Sequence, residues 1–208
     1  MINSKISICN LALAAIGEDA IRDFDEGNKR ARMCDVFYES TRDYVLAQFA
    51  WPFARRQTEL KQLTTSVNWH PDGTYVYSLP VECHQPLDLW PEGSMTNWEV
   101  SGTELTCKLD NVEADDTVVL IYTGKEMNPT KFSSQFIYLL SIALAVRICP
   151  SLTQDKELTK TVFQQYEMGK TEAWGTDAAI GNKQLHNDEN PAFDSFVDPD
   201  YSFTQGTE

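Results

Sequence analysis

The chain has 208 residues, of which 42% are hydrophobic and 23% charged, a balance that predicts one sizeable domain or a core with an inserted part. Its formal net charge is −14 at pH 7. This charge argues against a surface that grips DNA, because phosphate binding needs clustered lysine and arginine, but it is compatible with a surface past which DNA slides.

The first predicted helix covers residues 4–16, with Asn3 or Ser4 as its N-cap and Gly17 at its end. Four apolar residues share one face of this helix: Ile6, Cys9, Leu13 and Ile16. Only ten residues link it to the next helical pattern. A link of that length predicts that the first two helices are antiparallel neighbours.

The second helix is predicted to begin after Asn28 and to end at Ala50 or just before, because Pro52 disfavours helical backbone at the preceding residue. Its charged residues, Arg42 and Asp43 among them, are assigned to the solvated face. Its apolar stripe comprises Ala31, Cys34, Phe37, Tyr38, Tyr44, Val45 and Phe49.

Three residues at the exit of this helix are predicted to be a structural anchor for the departing chain: Trp51, Pro52 and Phe53. Trp51 and Phe53 place two large apolar side chains on either side of the proline. Burial in the core is favoured over a partner-binding hot spot as their role.

From residue 55 the pattern changes to β-branched and aromatic residues separated by turns, although residues 55–65 leave strand and helix both open. Short strands are predicted in three segments: Thr74–Leu79, Pro86–Trp90 and Asn97–Val100. Trp98–Lys108 has the pattern of a hairpin. Thr117–Tyr122 is the most apolar segment, and we therefore expect it to be a central strand.

The third helix is predicted to start at a Thr130 cap, to run to Ile148 and to be stopped by Pro150. It is apolar on nearly all sides, which predicts burial on several of them. Its longest apolar run, residues 136–146, is too short to cross a bilayer, and residues 1–10 lack the features of a secretory signal. We therefore expect a soluble protein without a membrane partner.

A fourth helix is predicted after a Thr153 cap, with a stripe that fades near residue 181: Leu158, Val162, Tyr166 and Ala173. Residues 182–208 follow as an extended acidic tail. Its part from residue 185 onward holds six acids and no lysine or arginine, hence −6 of the −14, with −8 on the rest. This composition predicts disorder in the free chain. Four aromatic residues make a docking segment as good an interpretation as a solvating tail: Phe193, Phe196, Tyr201 and Phe203.

These elements together predict an α+β protein with mainly helical character. Residues 1–54 and 130–181 are expected to form a helical bundle. Residues 55–129 are expected to form a small antiparallel β subdomain inserted between helices 2 and 3, and residues 182–208 the extended tail.

No pattern in the sequence predicts catalysis: G-x-S-x-G, Walker, H-E-x-x-H and dinucleotide motifs do not occur. The five cysteines never form a C-x-x-C pair, which predicts buried free thiols, and the three histidines have no ligand spacing. Acidic residues between 110 and 116 lack the spacing of a calcium loop and are assigned to a solvated loop. We therefore expect no catalytic, cofactor-binding or metal-binding residues.

The role of four arginines has two interpretations. The four are Arg30, Arg32, Arg55 and Arg56. They form either a phosphate clamp or, as the overall charge favours, a solvated face or pairs with acids of a neighbouring subunit.

Three segments carry a family resemblance, which extends over about residues 4–180 in the order and spacing of the segments. The segments are Asn10-Leu11-Ala12-Leu13, then Tyr38 and Arg42-Asp43 ahead of Trp51-Pro52-Phe53-Ala54, and then Tyr75-Val76-Tyr77-Ser78-Leu79-Pro80 closing on Cys83. With them the chain resembles the head-to-tail adaptors of short-tailed bacteriophages, also called tail tubular protein A.

The resemblance implies a helical core, a β insertion and an extended C-terminus in a virion protein of the neck, made in the host cytoplasm. It also implies a dodecameric ring that joins the portal protein to the tail tube or nozzle and lets DNA pass without specific binding. It further implies that the tail aromatics dock on the portal protein. Two other classes stay open: a tail enzyme that hydrolyses glycans with paired carboxylates, and an oligomeric adaptor unrelated to a phage neck.

Overall fold

The computed structural model describes residues 4–63, 74–90, 98–107 and 118–185, with residues 174–185 by backbone alone. Within these ranges the chain is an α+β protein, as predicted. Its helices are α1 Lys5–Ala15, α2 Lys29–Leu46, α3 Ser134–Leu152 and α4 Lys156–Leu185. Its strands are β1 Arg55–Glu59, β2 Lys61–Gln62, β3 Tyr75–Ser78, β4 Cys83–Trp90, β5 Trp98–Ser101, β6 Glu104–Cys107 and β7 Val119–Gly124.

The helix α1 has the predicted ends. The Ser4 hydroxyl accepts from the Ser7 amide at 3.1 Å, and the Ser7 hydroxyl accepts from the Ser4 amide, which closes a capping box. Gly17 follows the helix with a left-handed φ of 75°, a conformation that favours glycine. An ion pair joins Lys5 to Glu39 across to α2 at 3.0 Å.

The two helices are antiparallel, because residues near the start of α1 face the later part of α2. Lys5, at the start of α1, pairs with Glu39 of α2. Cys9, one turn later on α1, lies against Cys34, which is about one turn earlier on α2. This confirms the arrangement expected from the short link. The predicted Asn28 cap is also present, since its side chain accepts from the Ala31 amide at 2.8 Å.

The second helix ends at Leu46, four residues before the predicted limit. The chain turns over residues 47–49, and the Trp51 indole N–H donates to the Val45 carbonyl at 3.0 Å. This carbonyl of the last helical turn therefore accepts from a side chain as well as from the Gln48 amide, which lies 3.3 Å away. Pro52 does not stop the helix directly; it opens a 3-10 helix, Pro52–Ala54.

The third helix begins and ends later than predicted. Thr130 lies in a separate 3-10 helix, Pro129–Lys131, and the cap of α3 is Ser133, whose hydroxyl accepts from the Phe136 amide at 3.2 Å. Pro150 does not end α3, which continues to Leu152. A proline there removes one hydrogen bond from the last turn only, where helix ends already leave groups unpaired.

The cap predicted for α4 is also wrong by two residues. Asp155 accepts from the amides of Glu157 at 2.9 Å and Leu158 at 3.1 Å, whereas Thr153 closes α3 and donates to the Cys149 carbonyl at 3.0 Å. The predicted stripe of α4 is otherwise present, because Val162, Tyr166 and Ala173 are buried and Leu158 partly so. The helix runs four residues past the predicted limit of 181.

The strands form two sheets, with orders β1-β7-β4 and β2-β3-β6-β5. The predicted central position of the apolar strand is confirmed, since β7 pairs antiparallel with both neighbours. The predicted hairpin is β5–β6, which turns at Gly102 with φ 63°. Residues 55–65, left open from the sequence, supply β1 and β2. Arg55 of β1 pairs with Thr123 of β7, so the entry and exit of the first sheet lie side by side.

Two separate clusters of buried residues hold these elements. The helical core draws on all four helices and on residues 49–54, and the sheet core draws on both sheets. The helix α3 is the centre of the first, because it packs against α1, α2 and α4. By length and composition alone, this helix of 19 residues could cross a membrane, and it is longer than the apolar run counted from the sequence. However, 56% of its apolar 18-residue window is buried inside the protein.

Candidate functional site

The predicted anchor at the exit of α2 lies in a cluster of five aromatic rings. Trp51 is 3% exposed and its ring makes edge contacts with Phe49, at 5.3 Å between centroids, and with Phe136 of α3, at 5.1 Å. Phe53 is partly buried and packs on Phe136 at 5.0 Å and on Phe132 at 5.6 Å. Such edge geometries are the favoured ones for aromatic pairs. The cluster therefore joins the end of α2 to the start of α3.

The proline between these rings is exposed. Pro52 contributes backbone geometry instead of buried area, since it occupies the first position of the 3-10 helix, where a missing N–H costs nothing. Ala54 is fully buried and begins the passage to β1.

A buried arginine corrects the assignment of Arg42 to the solvated face of α2. Arg42 is 2% exposed, and its Nε and Nη2 atoms donate to Asp43 Oδ1 at 2.9 and 2.7 Å. Its position explains the burial, since Tyr38, Arg42 and Val45 follow each other at helical spacing on one face. Asp43 is partly exposed, so the pair lies at the edge of the helical core.

Two polar atoms beside this pair lack a hydrogen-bond partner in the part of the chain that the structure describes. They are Arg42 Nη1 and Tyr38 Oη, both buried. Burial raises the pKa of Tyr38, which keeps its hydroxyl protonated. The His84 ring, on β4, is 2.7 Å from the Asp43 carbonyl, and because a carbonyl only accepts, its Nε2 atom carries the hydrogen. This contact connects the sheets to α2.

Two of the four arginines of the possible phosphate clamp, Arg30 and Arg56, pair with different acidic residues. Arg30 pairs with Asp19 at 2.9 Å and Glu18 at 3.4 Å, in the link between α1 and α2. Arg56 pairs with Glu82 and with Glu126 on the sheet side. Arg55 is exposed on β1 and also has an interaction partner, and Arg32 is exposed on α2. These pairs are intramolecular, so Arg30 and Arg56 are not free phosphate ligands.

The predicted free thiols are confirmed. All five cysteines are unpaired, and only Cys83 is not fully buried. Burial raises the pKa of Cys107 to about 11, and a hydrogen bond with Cys34, with burial, raises that of Cys9. Raised thiol pKa values oppose thiolate chemistry. Among the described residues, no three His, Cys, Asp or Glu side chains are grouped as a metal site would need.

Other predicted features lie outside the described residues. These are the four tail aromatics Phe193, Phe196, Tyr201 and Phe203, the acidic segment 110–116, and two of the histidines, His70 and His186.

A surface of aromatic and cationic side chains was missed from the sequence. Tyr44, assigned to the core stripe, is 50% exposed, and the Arg147 guanidinium of α3 lies over its ring at 5.5 Å from the centroid. Beneath this surface, the buried Tyr166 of α4 has Lys170 over its ring at 5.7 Å, and Phe163, one turn earlier, is half exposed. We call Tyr44, Arg147, Phe163, Tyr166 and Lys170 the aromatic patch.

The aromatic patch is held in place by contacts between helices. The Tyr166 hydroxyl donates to Gln48 Oε1 at 2.8 Å, and burial raises the pKa of Tyr166 to about 12, so the hydroxyl stays protonated. Arg147 Nη1 donates to Ser40 Oγ at 3.0 Å. Tyrosine, phenylalanine and arginine are the residues that protein interfaces favour at their centres. The patch is therefore chemically suited to contact another protein.

No protein-family model matches the sequence. A comparison with curated proteins likewise finds no match. The candidate sites above accordingly stand on the sequence pattern and the geometry of this chain.

Proposed function

We propose that the protein is a structural adaptor of a short-tailed bacteriophage, which forms a dodecameric ring between the portal and the tail and surrounds the path of the DNA. The observation that carries the proposal is the passage from a long helix with Tyr38 and Arg42-Asp43 into Trp51-Pro52-Phe53-Ala54. The proposal gives the chain no reaction to catalyse and no cofactor.

The structure supports the proposal through the roles of these residues. Tyr38, Arg42, Trp51 and Ala54 are all buried, and Trp51 caps α2 through its indole. These four residues thus contribute to the core and the chain path, and a resemblance in core residues bears first on the fold. We accordingly propose the family's architecture as well: a helical bundle, a β subdomain inserted between α2 and α3, and an extended C-terminal tail.

A closed ring of identical subunits needs two different surfaces that meet on neighbouring copies. The aromatic patch is our choice for one of them, because it exposes Tyr44 and Phe163 next to two cations. It lies on α2, α3 and α4. The tail aromatics Phe193, Phe196, Tyr201 and Phe203 are proposed to dock on the portal.

The charge supports passage of DNA without binding. The chain without residues 185–208 carries −8, and a ring multiplies that charge around its channel. An acidic channel repels the phosphate backbone and keeps DNA sliding. Purified protein should therefore not bind duplex DNA at low salt, where electrostatic attraction is least screened.

The test is the mass of the purified protein alone and after mixing with the portal ring of the same phage. The proposal predicts a complex with twelvefold stoichiometry on the portal, and a Tyr44→Ala, Phe163→Ala variant that stays folded but assembles poorly. Met168→Ala is the matched control, since Met168 is 73% exposed and points away from Phe163 and Tyr166 on α4. A monomer that does not bind the portal ring would contradict the proposal. A protein that is monomeric alone but assembles on the portal would not.

A further inference from the structure

The helical core and the sheet core are joined by two chain segments that lie side by side. The first leaves Ala54, in the helical core, and enters β1 directly. The second leaves Tyr122 of β7, in the sheet core, and returns to Phe132 ahead of α3. Because β1 and β7 pair, the chain enters and leaves the sheets at one place, next to the helices.

A network of four charged side chains spans both segments. Arg56 of β1 pairs with Glu82, in the turn before β4, and its Nη2 atom lies 3.5 Å from Glu126 Oε2. Lys131 Nζ lies 3.1 Å from the same Glu126 oxygen. The other oxygen, Oε1, accepts from the Asn128 amide at 3.0 Å. Glu126 thus binds one cation from each of the two segments.

Burial makes this network different from a surface ion pair. The Glu126 side chain is 8% exposed, whereas Glu82 is 64% exposed. Exposed pairs contribute little, but a buried carboxylate that loses its cations leaves an uncompensated charge. Glu126 is therefore the member on which the network depends.

Gly124 gives the Arg56 side chain its path across β7. A Cβ atom at residue 124 would lie 2.7 Å from both Arg56 Cδ and Nε, closer than such contacts occur. Its φ is not left-handed, so the glycine matters here for space rather than for backbone conformation. An alanine would make the flexible end of the Arg56 side chain move, and that movement changes its position relative to its carboxylates.

We infer that Arg56, Glu82, Glu126 and Lys131 form a latch that holds the two sheets in one orientation on the helices, and that protonation of Glu126 opens it. The closed latch cross-links the two connecting segments through a single buried carboxylate. Opening leaves the sheet core and the helical core intact and frees only the joint between them.

The direction of the pH effect follows from the groups around the latch. Burial tends to raise the pKa of Glu126, but the Asn128 amide, Lys131 and Arg56 outweigh it, so the pKa is lowered. The facing groups are Arg56 from β1, Glu82 from the turn, Cys83 from β4, Tyr122 from β7, and Lys125 and Lys131 from the connection. Burial raises the pKa of Cys83 and of Tyr122, so both stay neutral in acid.

A lowered carboxyl pKa means that the latch is fully closed above the ordinary value of 4.5 and is lost as the pH falls through the folded-state pKa. Neutral and mildly acidic protein are therefore both latched, and the latch opens only at a pH below 4.5, where Glu126 takes up a proton.

The test is amide hydrogen exchange at neutral pH in two variants that break the latch in different ways. Glu126→Gln removes the charge with little change of volume, and Gly124→Ala keeps every charge but displaces Arg56. Both should accelerate exchange of residues 55–59 and 119–131 about tenfold and leave α3 unchanged. Glu157→Gln, in the exposed pair with Lys160 on α4, is the matched control and should match the wild type.

Each other outcome overturns the inference. Amide exchange at the wild-type rate in both variants would show that the network does not hold the sheets on the helices. Equal acceleration in α3 would mean a loss of global stability, not an open joint. Acceleration in Glu126→Gln alone would overturn the four-residue latch, because Arg56 would then have no part in holding the sheets. None of these outcomes bears on the proposed ring, which the portal mixture tests.

Discussion

Replacing Trp51 with alanine should cause a large loss of stability. The side chain is 3% exposed, contacts Phe49 and Phe136 edge-on, and donates to the Val45 carbonyl. Truncation of a buried tryptophan costs about 3–5 kcal/mol. That is a large share of the roughly 5–15 kcal/mol by which domains are stable, so we expect poorly soluble or unfolded protein.

Trp51→Phe is the matched control, because it keeps a ring in the cluster and removes the N–H donor. The Val45 carbonyl would still accept from the Gln48 amide at 3.3 Å, so no carbonyl is orphaned. The loss should then be about 1–2 kcal/mol, from one hydrogen bond and some packing.

The assay is urea unfolding followed by far-ultraviolet circular dichroism, which does not depend on tryptophan emission. A Trp51→Ala protein with the wild-type midpoint and slope would refute the anchor. If the same variant also failed to assemble, Trp51 would be an interface residue.

Three further predictions concern stability, thiols and the tail. Asp43→Ala should cost about 1–3 kcal/mol of stability because it leaves the buried Arg42 without its ion-pair partner. Adding Arg42→Met should restore much of that loss. An unchanged melting temperature in the single variant would contradict the role of the pair. A thiol reagent should modify at most Cys83 in native protein and all five cysteines in urea, whereas rapid native labelling of several would contradict their burial. Truncation after Leu185, the end of α4, should leave the melting temperature nearly unchanged and weaken portal binding, and wild-type affinity would reduce the tail to a solubility device.

The class of the fold and most of its elements could be predicted because their signals are local. Helical periodicity located all four helices, and the apolar content of Thr117–Tyr122 identified the centre of the first sheet. The helix ends were less accurate, since side chains decide them. The Trp51 side chain, five residues beyond the end of α2, donates to a carbonyl of its last turn, and Ser133 rather than Thr130 caps α3.

Polarity was a poor guide to position on α2. Arg42 was assigned to solvent for its charge and Tyr44 to the core for its ring, yet the structure reverses both. Helical angle carried the better signal, because residue 42 falls on the face of Tyr38 and Val45 and residue 44 does not. The latch and the aromatic patch could not be predicted at all. Both depend on pairings between residues far apart in sequence, such as Arg56 with Glu126 and Arg147 with Tyr44.

The proposed function implies that a phage encodes this chain, and its most direct test is cryo-electron microscopy of the neck in the virions of that phage. The proposal predicts a twelvefold ring of this protein between the portal and the tail, with helices and sheets arranged as described here. It also predicts that density for Phe193, Phe196, Tyr201 and Phe203 lies against the portal. Virions in which this chain lies outside the neck, or that lack it altogether, would contradict the proposal.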